Sequence, residues 1–95
     1  MAAHIVATVR ITDPEAFGRY ARAIDGLAEA FDGHYVVRGP VTASLEGPDT
    51  MGERVVILEF PNAERARAFY DSEQYQAAKA MREGAATLEM RLLGA

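Results

Sequence analysis

The chain has no cysteine and only two histidines. The first absence excludes disulfides and thiolate metal sites, and the second leaves His4 and His34 too few for a histidine-built metal cage. No metal is expected. Long apolar runs are missing too: no stretch approaches the length of a bilayer span, the opening MAAHIVATVR lacks a basic leader, and the closing LLGA carries no lipidation signature. A cytoplasmic protein with no membrane partner is the expectation. Basic charge is short, with 10 Lys and Arg against 14 Asp and Glu and a net charge of −4. Since the basic residues alternate with acids, no stripe is available for a phosphate backbone, and nucleic acid is not an expected partner. Glycine-rich phosphate loops and a Ser-His-Asp set are also absent. At 95 residues the chain is read as one domain, 1–95, large enough to bury about 60–70% of its unfolded surface.

What is present is a strand feeding a helix. Arg54 to Phe60 has strand character and stops at Pro61, which cannot extend a sheet ladder. Asn62 then caps a helix carrying Ala66, Phe69 and Tyr70 on one side, which re-starts at Ser72 with Tyr75, Ala78 and Met81 inward. Upstream, His4 to Ile11 alternates Ile5, Ala7, Val9 and Ile11 against Val6, Thr8 and Arg10, the period of a strand. Thr12-Asp13-Pro14-Glu15 supplies a cap, a first-turn proline and an acid for the helix dipole. Helical spacing then runs from Phe17 through Tyr20, Ile24 and Leu27 to Phe31, with a stop at Gly33. His34 to Arg38 reads as a strand with Tyr35 and Val37 on one face and His34, Val36 and Arg38 on the other. Gly39-Pro40 bends it, Gly47 to Gly52 reads as a loop, and Ala86 to Leu93 is the last strand.

The order strand, helix, strand, strand, helix, strand is the split βαβ or ferredoxin-like plan: α+β, a four-stranded antiparallel sheet with both helices on one face. If Ile5, Ala7, Val9, Tyr35, Val37, Val56, Leu58, Phe60, Leu88, Met90 and Leu92 line the helix side, the other face still presents Val6, Val36, Val55 and Ile57. An apolar face with no third layer calls for a second subunit, so a homodimer packed sheet to sheet is expected.

Glu59-Phe60-Pro61, Phe69-Tyr70, Ser72, Tyr75-Gln76 and Arg82 together resemble a small bacterial domain-of-unknown-function family of the dimeric α+β barrel superfamily. Asp13-Pro14, Tyr20 and Val37-Arg38-Gly39 fit the same pattern; Pro40 stands where a second glycine is usual. The resemblance covers almost the whole chain. It implies a ferredoxin-like monomer that dimerises through its sheet into a barrel. It implies no single activity, since that superfamily includes cofactor-free oxygenases of aromatic polyketides, haem-degrading enzymes, muconolactone-type isomerases, chlorite-decomposing enzymes and small sensory domains.

Two sets of residues are candidates for a site. On the dimer-facing side of the sheet, Thr8, His34, Arg38, Glu59 and Glu89 would form a polar group. There Arg38 would hold a substrate carboxylate while Glu59 moves a proton, with His34 as a possible base; the plain alternative is an interfacial ion pair. Between helices and sheet, Tyr20, Tyr35, Tyr70, Tyr75 and Arg82, with a pocket mouth at Asp71-Ser72, would orient a flat organic acid; the alternative is core packing with satisfied hydroxyls. His4 is the weaker histidine. Neither histidine falls on the second helix, where an axial haem ligand would sit, so no cofactor is expected. The expectation is a homodimer binding a small carboxylated or aromatic metabolite, as a cofactor-free isomerase, lyase or monooxygenase-like enzyme. Its rival is a non-catalytic ligand-binding or stress-associated dimer.

Overall fold

The structure, a computed structural model, describes residues 1–94. Strand β1 (Ala3–Ile11) alternates buried and half-buried positions and leads through Thr12 into helix α1 (Pro14–Ala23). Asp13 caps α1 by accepting from the Ala16 amide at 3.2 Å, and Pro14 opens its first turn. The long single helix expected from the spacing is two pieces. Gly26, at φ 78°, takes the left-handed conformation that glycine adopts without strain, and it separates α1 from the short α2 (Leu27–Ala30). The apolar spacing carries across the break because Leu27, Ala28 and Phe31 still reach the core.

Gly33 then turns the chain into β2 (His34–Pro40). Its lack of a side chain is required by packing, since an added Cβ would land in the ring of Phe60. From Val41 to Glu53 the chain forms a loop, closed at its base by the Val41 amide on the Glu53 carbonyl at 2.7 Å and the Gly52 amide on the Val41 carbonyl at 3.1 Å. Strand β3 (Arg54–Phe60) leads through Pro61 into α3 (Ala63–Asp71), capped by Asn62 on the Arg65 amide at 2.8 Å. Ser72 ends α3 and caps α4 (Glu73–Met81) through the Tyr75 amide at 3.1 Å. Strand β4 (Ala86–Leu93) completes the chain. Met81, read as inward, is half-exposed at the end of α4.

The sheet has four strands in the order β2-β3-β1-β4, and each neighbouring pair is antiparallel. This is the ferredoxin-like arrangement the element order predicts. The core lies between the helices and one face of the sheet. Its largest fully buried side chains are Phe60, Phe69 and Tyr75, with ring centroids 5.3 Å apart for Phe60 and Phe69 and 5.1 Å for Phe69 and Tyr75.

One irregularity decides where the polar groups go. The register of β2 on β3 slips between Tyr35 and Val37: Tyr35 faces Leu58, but Val37 faces Ile57 and Arg38 faces Val56. A bulge places two residues against one and moves every later side chain to the opposite face. Val37 therefore joins Val36 on the outer face, where both are about half exposed (50% and 49%). Arg38 goes to the helix side. The regular alternation had placed these two the other way round.

Candidate functional site

Helices and sheet do not close fully on each other. Between them lies a cavity of about 390 Å³, within the size range of small-molecule sites. Its floor is the helix face of the sheet, including Ala7, Val9 and Val56, and its roof is Phe17 and Tyr20 of α1, Ile24 just after it, Phe69 and Tyr75. Ala7 matters here because a methyl group in the middle of the floor leaves depth that a larger side chain would fill. The polar lining is two phenols of α1 and α4, Tyr20 and Tyr75, a third on β2, Tyr35, and two guanidinium groups, Arg38 and Arg54. Among the described residues no carboxylate or imidazole lines it.

The two phenols are paired. Their hydroxyls stand 2.8 Å apart, Arg82 Nη2 donates to the Tyr75 hydroxyl at 3.3 Å, and that hydroxyl also lies 3.8 Å from the Met90 sulfur. The guanidinium carbon of Arg82 sits 5.0 Å from the Tyr20 ring centroid. Burial, together with the neighbouring Tyr75, pushes the Tyr20 phenol well above its ordinary value, and Arg82 offsets this only in part. For Arg82, burial opposes the charge but its bonds and attraction to Tyr75 and Tyr20 outweigh it, so its pKa is raised. The Tyr20 phenol is therefore neutral at physiological pH.

This has a measurable consequence at alkaline pH. Because the folded value is raised, the contribution of Tyr20 to stability is fully present below the ordinary phenol pKa of 10.0. It is lost as pH rises from there towards the folded value, at up to about 1.4 kcal/mol per pH unit. Urea unfolding between pH 9 and 11 should show Tyr20→Phe with a slope shallower than the parent by about half a proton on average, approaching one at the upper end. Equal slopes would mean that burial does not hold this phenol neutral.

Tyr35 is also raised, by burial first, with the Arg38 guanidinium acting against it; the Arg38 carbon lies 4.4 Å from the Tyr35 ring centroid. Two members of the expected tyrosine set stand elsewhere. Tyr70 stacks on Tyr75 at 5.2 Å, accepts from Lys79 Nζ at 2.8 Å, and borders a separate cavity of about 280 Å³ beside Arg67 and Arg91. Arg82 supports the phenol pair rather than lining the main cavity.

The outer-face set is rearranged. Arg38 and Glu59 lie on opposite faces of the sheet, so the expected pairing of guanidinium and carboxylate at one substrate does not form. The bulge is the reason. Glu59 instead sits between two imidazoles, with His4 Nε2 at 3.0 Å from one oxygen and His34 Nε2 at 3.9 Å from the other. The register makes this a straight row, His34 opposite Glu59 and Glu59 opposite His4. His4 is thus the nearer partner, although the sequence favoured His34; only the pairing of β1 with β3 brings it there. Thr8 faces Glu89 across β4, and the Glu89 carboxylate lies 3.4 Å from Arg91. Among the described residues no cluster of three His, Asp or Glu side chains is arranged to hold a metal ion, and no helix is long and apolar enough to cross a membrane.

Comparison with solved structures places the chain in the ferredoxin-like class. A protein of unknown function from Rhodopseudomonas palustris is 22% identical with a TM-score of 0.81, the match covering 99% of this chain and 82% of that one. A dimeric ferredoxin-like protein of unknown function from Thermobifida fusca is 19% identical, TM-score 0.68, covering 100% and 92%. SnoaB, a cofactor-independent oxygenase from Streptomyces nogalater, is 14% identical, TM-score 0.69, covering 99% and 92%. At these identities the likeness establishes the fold alone. The family follows from the sequence itself: the chain belongs to the family described as domain of unknown function (DUF1330), whose model matches residues 2–95. No curated protein matches it.

Proposed function

We propose that this protein is a homodimer that holds a small aromatic or carboxylated metabolite in the cavity between its helices and sheet. The observation that carries the reading is the cavity itself, about 390 Å³ with largely apolar walls and a few convergent phenols and guanidiniums. The dimer is supported by the outer face of the sheet, where Val6, Val36, Val37, Val55 and Ile57 have no third layer over them among the described residues, and by the dimeric relative from Thermobifida fusca.

The lining also narrows the chemistry. Isomerase or lyase catalysis with Glu59 as base is disfavoured, because Glu59 is on the far face and no described residue brings a carboxylate or imidazole to the cavity. What it offers is a phenol pair able to steady a guest's oxyanion in an apolar enclosure. That suits cofactor-free oxygenation of an electron-rich phenolate, the activity class named for SnoaB. The absence of a base equally favours the second reading, a binding protein that leaves its guest unchanged.

Calorimetric titration with 2-naphthol as a plain aromatic probe tests the site. Saturable binding of one molecule per chain is expected, weakened at least tenfold by Ala7→Leu, which fills the cavity floor. Unchanged affinity in that variant would remove the cavity from the reading. Incubation of an electron-rich naphthol under air, followed by mass spectrometry, separates the two readings: added oxygen marks an oxygenase, unaltered probe a binder.

A further inference from the structure

The registers define a line beneath the helices. Arg38 on β2 faces Val56 on β3, Val56 faces Ala7 on β1, and Ala7 faces Met90 on β4. Four strands are thus crossed in one row on the cavity floor, about 14 Å from the first backbone to the last at the usual strand spacing. The β2 end of the row is charged, its middle is apolar, and at the β4 end the Tyr75 hydroxyl stands beside Met90.

At the β2 end stand two guanidiniums. Arg54 is the diagonal neighbour of Arg38, opposite Pro40 and two residues from Val56. Among the described residues neither Arg38 nor Arg54 forms an ion pair. Asp25 and Glu29, whose charges reach the Tyr35 phenol, do not pair with them either. Two exposed guanidiniums on adjacent strands, turned towards an apolar hollow, suit a carboxylate held by parallel N–H bonds.

At the β4 end the hydrogen bonds can run in either of two directions. The Tyr75 oxygen accepts from Arg82, and its own proton has two possible acceptors, the Tyr20 hydroxyl at 2.8 Å and the Met90 sulfur at 3.8 Å. Tyr75 donating to Met90 leaves Tyr20 to donate to Tyr75, whereas Tyr75 donating to Tyr20 leaves the Tyr20 proton free. The second direction turns the Tyr20 proton towards the cavity, which Tyr20 lines, and a guest oxygen there selects it. Arg82 reinforces this direction by polarising Tyr75.

We propose that the guest of this cavity is bipolar: a carboxylate seated on Arg38 and Arg54, a planar apolar body over Val56 and Ala7, and a carbonyl or phenol oxygen accepting the Tyr20 proton at the far end. The assignment rests on the cavity being a ligand site. It specifies a substrate class, an aromatic or conjugated acid with an oxygen at the end opposite its carboxylate, and it fixes the orientation of that molecule.

Three probes of one skeleton test it by calorimetry: 6-hydroxy-2-naphthoate, 2-naphthoate without the hydroxyl, and 2-naphthol without the carboxylate. The bifunctional probe should bind at least tenfold more tightly than either of the others. Replacing both exposed arginines (Arg38→Gln with Arg54→Gln) should abolish the advantage of the carboxylate and leave 2-naphthol affinity within twofold. Tyr20→Phe should abolish the advantage of the hydroxyl alone. Equal affinity for all three probes overturns the bipolar assignment while the cavity reading stands, as does a carboxylate preference that survives loss of both arginines. If none of the probes binds the parent protein, both fall.

Discussion

Phe69→Ala should lower the free energy of unfolding by about 3–5 kcal/mol, the usual cost of emptying a fully buried aromatic site. Phe69 projects from α3 and is 1% exposed. Its ring meets Phe60 of β3 at 5.3 Å, Tyr75 of α4 at 5.1 Å and Phe31, just after α2, at 6.3 Å. One side chain thus joins helices from both halves of the chain to the sheet. A domain of this kind has only about 5–15 kcal/mol in total, so the variant should lose a third or more of its stability. It should also lose definition in the ligand cavity, since Phe69 forms part of the roof. Urea denaturation followed by circular dichroism, at one fixed protein concentration so that dimerisation does not shift the midpoint, gives the number. A loss below about 1 kcal/mol would show that the surrounding rings collapse into the gap and that the aromatic layer is not what holds helices to sheet.

The elements were legible because their signals are local. Asp13-Pro14, Asn62 and Ser72 cap the helices that the spacing predicts, and Pro61 ends β3 where a ladder must end. Gly26 falls inside one continuous helical spacing in the sequence, and its left-handed conformation became visible only when Leu27 and Phe31 had to reach a common core. The site was less legible. Tyr20 and Tyr75 fall inward by helical period, yet whether their hydroxyls meet depends on how α1 packs on α4. Arg38 was misplaced for a sharper reason: the bulge after Tyr35 is a property of the β2–β3 pairing, not of β2 alone. Its trace in the sequence is the adjacent pair Val36-Val37, two branched apolar residues that strict alternation would send to opposite faces and the bulge keeps on one. His4 depends in the same way on a partner 55 residues away.

Ile57→Lys should turn the proposed dimer into a monomer. Ile57 lies near the middle of the outer face, between Val37 on β2 and Val6 on β1, and an apolar surface there contributes to association at about 25 cal/mol per Å² when a second sheet covers it. A lysine ammonium placed at that centre would be buried without a partner. Uncompensated buried charges cost about 3–5 kcal/mol, which raises the dimer dissociation constant by more than about a hundredfold. Sedimentation equilibrium at micromolar concentration reads the change directly, and unaltered circular dichroism would confirm that the monomer still folds, because Ile57 points away from the helix-side core. A dimer that survives Ile57→Lys would mean that the copies meet elsewhere, along the exposed edge of β2 or β4. The cavity is lined by residues of one chain, so the monomeric variant should keep its affinity for 2-naphthol within about threefold, a difference of roughly 0.65 kcal/mol. Loss of binding on dissociation would instead show that the partner's sheet holds the floor of the cavity in shape, tying the two halves of the proposal together.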